Sequence, residues 1–74
     1  MRPIAMSTEQ IGEKAVEVAA FLAEQGEVPL STFERSMQGS RALIQAAVGW
    51  LAREDRVSFR RDGRSTLVKL REPR

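Results

Sequence analysis

The pattern of apolar and polar positions is most regular between residues 40 and 59. Apolar residues recur there at intervals of three and four, the period of a helix with one broad buried face. They are Leu43, Ile44, Ala47, Val48, Trp50 and Leu51. From residue 56 the pattern changes to alternation, the period of a half-buried strand. We therefore predict a helix near residues 41–54, followed after a tight corner by a strand near residues 56–61.

A second helical pattern lies between residues 8 and 25. Ser7 is a suitable N-cap for it, and Gln10, three residues later, can close a capping box. Gly26 is expected to end the helix, because the residue after a helix often takes a left-handed conformation that suits glycine. The charged residues of this segment, Lys14 among them, are predicted to lie on its outer face.

A short helix is predicted between these two, near residues 32–38. Ser31 and Glu34 have the spacing of a capping box at its start, and Gly39 is expected to end it. Two helices separated by a short turn that contains glycine form a helix-turn-helix arrangement. Just upstream, Pro29 has no backbone N–H to donate to a neighbouring strand. Residues 27–30 can therefore form only a short edge strand.

The C-terminal part of the chain predicts a β-hairpin. Asp62 and Gly63 are typical of a two-residue type I′ turn, which would pair Arg61 with Arg64 and begin a second strand near residues 64–70. One face of this hairpin is mostly apolar, and we expect it to face inward. Its members are Val57, Phe59, Thr66, Val68 and Leu70.

Taken in order, these elements predict an α+β winged helix-turn-helix fold. It comprises three helices, a short edge-strand stub and a C-terminal β-hairpin wing. We expect the domain to span residues 7–71, between a disordered extension at residues 1–6 and a frayed tail at residues 72–74.

Particular residues also resemble a known family, the small stand-alone bacterial winged helix-turn-helix proteins of uncharacterised function. The similarity lies in Ile11, Gly12, Glu13 and Ala15, in Gly26, and most specifically in residues 49–54. It extends from about residue 6 to residue 70. The resemblance implies the fold, and it implies DNA binding only by analogy, since one fold can serve several functions.

Composition excludes several kinds of chemistry. With 74 residues the chain can form one small core, and it contains neither cysteine nor histidine. Disulfides, thiolate metal sites and the usual base for nucleophilic catalysis are therefore absent, and we expect no enzyme activity, cofactor or metal. No segment has the roughly 20 consecutive apolar residues that span a bilayer, so we expect a cytoplasmic protein without membrane association.

Charge is distributed unevenly along the chain. Residues 1–39 contain three basic and six acidic residues, a net charge of −3, whereas residues 40–74 contain nine basic and four acidic residues, a net charge of +5. Together they give the total of +2. A basic C-terminal half is suited to a polyanion, although an arginine-rich solvated surface would have the same composition.

Candidate DNA contacts follow from this distribution. In DNA-binding winged helices the third helix enters the major groove, where Arg41 and Gln45 have the side chains that pair with guanine and adenine. Arg60, Arg61 and Arg64 surround the predicted wing tip, where they could contact phosphates. The alternative is that these side chains are ordinary solvated residues, with the wing charges preventing edge-to-edge aggregation.

The outer face of the third helix also suggests a protein interface. This face consists of Ala42, Gln45, Ala46, Gly49, Ala52 and Arg53, and four of these six residues are small and uncharged. Glycine inside a helix costs about 1 kcal/mol relative to alanine, so Gly49 needs a structural reason. A closely packed partner helix, for example in a homodimer, would be one, and making room for a neighbouring core side chain would be another. The two hypotheses are thus a double-stranded-DNA-binding, transcription-regulatory domain and a protein-interaction or homodimerisation module.

Overall fold

A computed structural model describes residues 7–71 of the chain, apart from the side chain of Glu34. The elements follow in the order α1 (Thr8–Gln25), β1 (Val28–Pro29), α2 (Leu30–Ser36), α3 (Arg41–Arg53), β2 (Val57–Asp62) and β3 (Ser65–Leu70). Three helices and a three-stranded antiparallel sheet confirm the predicted α+β winged-helix architecture. The predicted extension and tail lie outside the described residues.

Helix α1 has the predicted ends. The backbone N–H of Gln10 donates to Ser7 Oγ at 3.0 Å, and the backbone N–H of Ser7 donates to Gln10 Oε1 at 3.1 Å, which completes the capping box. At the other end Gly26 takes a φ of +79° and donates its N–H to the carbonyl oxygen of Leu22 at 2.8 Å. Local sequence chemistry therefore suffices to define this helix.

Helix α2 begins and ends two residues earlier than predicted, so the Ser31 cap and the end at Gly39 are both wrong; the helix ends at Ser36, with Met37 as its C-cap. Its N-cap is Pro29, with φ −64° and ψ 143°, and no side chain caps the helix. Because Pro29 also belongs to β1, the chain passes from the edge strand into the helix without a loop. Ser31 consequently lies inside the first turn. Phe33, on the inner side of this helix, is fully buried.

Helix α3 has the predicted start and the predicted orientation. The N–H of Leu43 donates to Ser40 Oγ at 3.0 Å, as expected for a serine N-cap. The apolar face is buried against α1 and the sheet, and Trp50 packs half-buried at its margin. The buried positions of the helix are Ile44, Ala47, Val48 and Leu51.

The sheet has the strand order β1-β3-β2, with β1 at one edge as predicted. The hairpin register differs from the prediction by two residues: Asp62 lies opposite Ser65, so the turn consists of Gly63 and Arg64. Gly63 has a φ of +66°, and the φ of Arg64 is not positive. Those φ signs match a type II′ turn, which requires glycine at its first central position, whereas the predicted type I′ turn would have required a positive φ at Asp62 as well.

The shift by two residues leaves the two faces of the hairpin unchanged, because side chains alternate with period two. Val57 and Val68 are buried as predicted, but Phe59 remains 44% exposed although it lies on the same face. Phe59 lies on the edge strand β2, opposite the fully buried Val68 of the central strand β3, so alternation correctly predicted the face and overestimated how far the core reaches toward this edge of the sheet. On α1, Phe21 contributes to the core by ring contact with Phe33, with 5.4 Å between centroids.

Candidate nucleic-acid interface

The outer face of α3 is arranged as its period predicts. Arg41 and Gln45 lie exposed in its first half, and Arg53 is exposed at its last position. The small residues Ala42, Gly49 and Ala52 are exposed between them, and Ala46 is half-buried. The structure therefore brings the polar and the small candidate residues together on one accessible helix face.

Among the described residues, no side chain from elsewhere in the chain packs into the space beside Gly49. Apart from its two chain neighbours and the helix's own backbone, a Cβ atom built at this position would meet no described heavy atom within 4 Å. The interpretation that Gly49 accommodates a core neighbour is therefore wrong. Within the described part of the chain, nothing in the packing requires glycine here.

The three wing arginines have different surroundings. Arg61 and Arg64 are exposed, and neither side chain makes an ion pair or hydrogen bond with any residue from 7 to 71. Arg60 instead binds Glu27 through two parallel hydrogen bonds of 2.9 Å, from Nε to Oε2 and from Nη2 to Oε1. This bidentate geometry is the strong form of a guanidinium–carboxylate contact.

The Glu27–Arg60 ion pair crosses the sheet. Arg60 on β2 lies opposite Leu67 of the central strand, and Glu27 immediately precedes Val28 of the edge strand β1. The hydrogen bond from Arg60 lowers the pKa of Glu27, with smaller Coulombic contributions from Arg60 and Lys69, and Glu27 correspondingly raises the pKa of Arg60. Sequence inspection did not detect this pair, because its members are 33 positions apart and meet only through strand pairing.

Lys14 is a second residue whose role sequence inspection missed. The prediction that it lies on the outer face of α1 is wrong, since it is buried with a relative exposure of 9%. Its Nζ donates to the carbonyl oxygen of Gln38 and to Glu17 Oε1, both at 2.8 Å. The long aliphatic stem lets the ammonium group cross from α1 to the turn between α2 and α3. Lys14 thereby holds the segment that leads into α3.

Hydrogen bonds also stabilise the corner between α3 and the wing. Asp55 takes a φ of +61°, and its Oδ1 accepts a hydrogen bond from Arg71 Nη1 at 2.7 Å. The backbone N–H of Arg71 donates to the carbonyl oxygen of Arg56 at 2.8 Å. These contacts join the end of β3 to the start of β2 and fix the base of the wing relative to α3.

Residues 7–71 contain no group of three or more acidic, histidine or cysteine side chains that could hold a metal ion. None of the helices in this range is long and apolar enough to cross a bilayer.

A helix-turn-helix followed by a two-stranded wing, with an accessible third helix, defines a winged helix-turn-helix domain, a class whose members are typically non-catalytic. The chain belongs to the winged helix-turn-helix domain family DUF2582, whose model matches residues 6–70. This confirms the resemblance found in the sequence.

An uncharacterised protein of the archaeon Methanocaldococcus jannaschii is 34% identical over 65 residues, which cover 84% of this chain and 91% of the relative. The similarity therefore extends beyond the bacterial proteins that the sequence motifs resemble. No solved structure matches the chain.

Proposed function

We propose that this domain binds double-stranded DNA in a transcription-regulatory role, with the wing on the phosphate backbone and the start of α3 in the major groove. The observation that carries the proposal is the pair Arg61 and Arg64 at the hairpin tip. Both are exposed, and no acidic side chain of residues 7–71 pairs with them. Unpaired guanidinium groups at the end of a projecting hairpin are suited to phosphate oxygens.

Arg41 and Gln45 are the proposed base-contacting residues. They are one helical turn apart on the exposed side of α3, near its N-terminal end, and residues at this end of the recognition helix contact base edges in helix-turn-helix complexes. Arginine binds the O6 and N7 acceptors of guanine, and glutamine pairs with N6 and N7 of adenine. The neighbouring small residues would allow the helix backbone to approach the base edges closely.

Arg60 has a more limited role in this proposal. Two of the five N–H groups of the Arg60 guanidinium donate to Glu27, and the other three are available. It could therefore donate to a phosphate while it remains bound to the carboxylate. The pair as a whole carries no net charge, so we expect Arg60 to contribute less counterion release than Arg61 or Arg64.

Binding to a mixed-sequence duplex, measured by fluorescence anisotropy over a range of salt concentrations, tests the proposal. Arg61→Gln with Arg64→Gln should weaken binding to all sequences and make the slope of log K against log salt shallower by about 0.9 for each phosphate that is no longer neutralised. Arg41→Ala should change the preference among sequences instead. A wild type that does not bind duplex DNA at low salt, where screening is weakest, would refute the proposal.

A homodimer formed through the outer face of α3 is the second candidate function, and the open space beside Gly49 favours it. Nothing within residues 7–71 accounts for glycine at a helical position where alanine is more stable. A second copy packed on Ala42, Gly49 and Ala52 would supply the reason, and a twofold dimer is the commonest assembly of soluble chains. Such a dimer would cover Gln45, so it would compete with groove binding.

The variant Gly49→Leu tests for this homodimer, because sedimentation analysis distinguishes the monomer from the dimer. In the monomer the Cβ of the new residue enters open space on an exposed helix face, and leucine improves helix propensity, so the folded chain should be retained. In a dimer the same side chain should hold the two helices apart and lower the association constant. Wild type that sediments as a monomer at high micromolar concentration would rule out homodimerisation.

A further inference from the structure

Beside the wing tip lies a pocket of about 270 Å³, and Arg64, one of the proposed DNA contacts, is part of its lining. One wall is the segment where β1 meets α2, and the other is the wing turn with the start of β3. It is lined by Pro29, Leu30, Ser31, Arg64, Ser65 and Thr66. It is smaller than the roughly 300–1,000 Å³ of pockets that hold drug-sized ligands, so it is suited to a small group.

The chemistry of the lining is that of an oxyanion site. Arg64 supplies a guanidinium with no side-chain partner among residues 7–71, and Ser31, Ser65 and Thr66 supply three hydroxyl groups that can donate hydrogen bonds. None of the described side chains that line the pocket is acidic. A guanidinium and several hydroxyl donors in the lining of one pocket are suited to the acceptor oxygens of a phosphate group.

The two walls are held together by the sheet. Pro29 lies opposite Leu67, and Val28 lies opposite Val68, so the edge strand that leads into one wall is paired directly with the strand that continues from the other. The residues that supply these donors are thus brought together by backbone pairing before any ligand arrives. A site arranged in advance loses less conformational entropy when it binds.

We propose that this pocket binds a phosphate group, with Arg64 as the charged ligand. The inference rests on the proposed function, because the pocket adjoins the wing and its phosphate is taken to be one of the duplex backbone. The same chemistry would accept the phosphate of a small phosphorylated molecule. The experiment therefore compares inorganic phosphate with duplex DNA.

The first arm follows amide chemical shifts by NMR while inorganic phosphate is added, with sodium chloride at equal ionic strength as the reference. Saturable shifts at Ser31, Ser65 and Thr66 that occur with phosphate and not with chloride are expected. Arg64→Gln should abolish them. Arg61→Gln is the matched control, because it removes the same charge from the same hairpin at a residue that does not line the pocket. Shifts that are absent, or lost equally in both variants, would overturn the proposal.

The second arm measures duplex affinity for the same two variants. Arg64→Gln should lower it about tenfold, equivalent to about 1.4 kcal/mol, and Arg61→Gln by clearly less. If phosphate occupies the pocket but the wild type does not bind duplex DNA, the proposed function fails, and the ligand is a small phosphorylated molecule. If the duplex binds but phosphate leaves the pocket residues unshifted, the pocket proposal fails and the proposed function stands. Unchanged folding of both variants is checked by their circular dichroism spectra and melting midpoints.

Discussion

Two charged contacts connect distant parts of this domain, and they differ mainly in burial. Lys14 joins α1 to the helix-turn-helix turn from a site where its side chain is only 11% exposed. Arg60 joins the wing to Glu27 on the outer surface of the sheet, with 59% of its side chain exposed. Both position an element that we propose meets DNA. Since water competes little at the first contact and freely at the second, we expect Lys14 to matter for stability and Arg60 for binding.

The largest predicted effect is that of Lys14→Met on the free energy of unfolding. Methionine retains most of the aliphatic stem but leaves the carbonyl oxygen of Gln38 without its donor, and hydrogen bonds to charged groups contribute about 1.5–3 kcal/mol. We expect the free energy of unfolding, measured in urea, to fall by about 2 kcal/mol. Glu17→Gln is the control: it removes only the exposed partner of the same ammonium, so it should cost less than about 1 kcal/mol. Equal losses in the two variants would show that the carbonyl contact has no special weight.

Gly39→Ala tests the other side of the same contact. Gly39 has a φ of +117°, which strains any residue with a Cβ, and the new atom would lie 3.3 Å from Cε and Nζ of Lys14. Strained backbone conformations of this kind cost about 1–3 kcal/mol, so we expect a loss of about 1–2 kcal/mol in urea unfolding. Combined with Lys14→Met, the loss should be less than the sum of the single losses, because methionine lacks Nζ and its terminal Cε is no longer held beside Gly39 by hydrogen bonds. Full additivity would indicate that only backbone strain is involved.

At the exposed contact we expect a change in affinity rather than in stability. Glu27→Gln removes the carboxylate that neutralises Arg60, so a duplex should bind several-fold more tightly and with a steeper salt dependence. Arg60→Gln leaves the carboxylate unpaired at the wing and should weaken binding. Changes of the same sign in the two variants would contradict this electrostatic account. Urea unfolding of both variants should be close to that of the wild type.

The smallest predicted effect is on the ionisation of Glu27. Its pKa is lowered from 4.5, principally by the hydrogen bond from Arg60, and the group is exposed. A depressed carboxyl pKa contributes stability that is present above the unfolded-state pKa and is lost as pH falls through the folded-state pKa. The contribution of this pair to stability is therefore fully present above about pH 4.5, and any pH dependence that it causes is confined to more acid solutions. NMR titration of the carboxyl carbon should give a lower pKa in the wild type than in Arg60→Gln, and equal values would exclude the bidentate pair in solution.

Local chemistry was sufficient for much of the fold. The capping box of Ser7, the glycine at the end of α1 and the Ser40 cap are interactions between residues only a few positions apart, and each was confirmed. The buried and exposed faces of α3 followed from its period for the same reason. The hairpin turn was displaced because both Asp62 with Gly63 and Gly63 with Arg64 are acceptable turn sequences. Neighbouring residues alone do not distinguish them.

What sequence alone determined is therefore the order of the elements, their approximate bounds and the faces they bury, because these depend on propensities and periods of adjacent residues. It also indicated which basic and small residues share the outer face of α3. Only the tertiary structure decided which charged side chains form ion pairs or hydrogen bonds. Lys14 binds Gln38, 24 positions away, and Arg60 binds Glu27, 33 positions away. These residues meet solely through helix packing and strand pairing. The pocket at Arg64 has the same origin, since its two walls are separate in the chain and are joined by the pairing of β1 with β3.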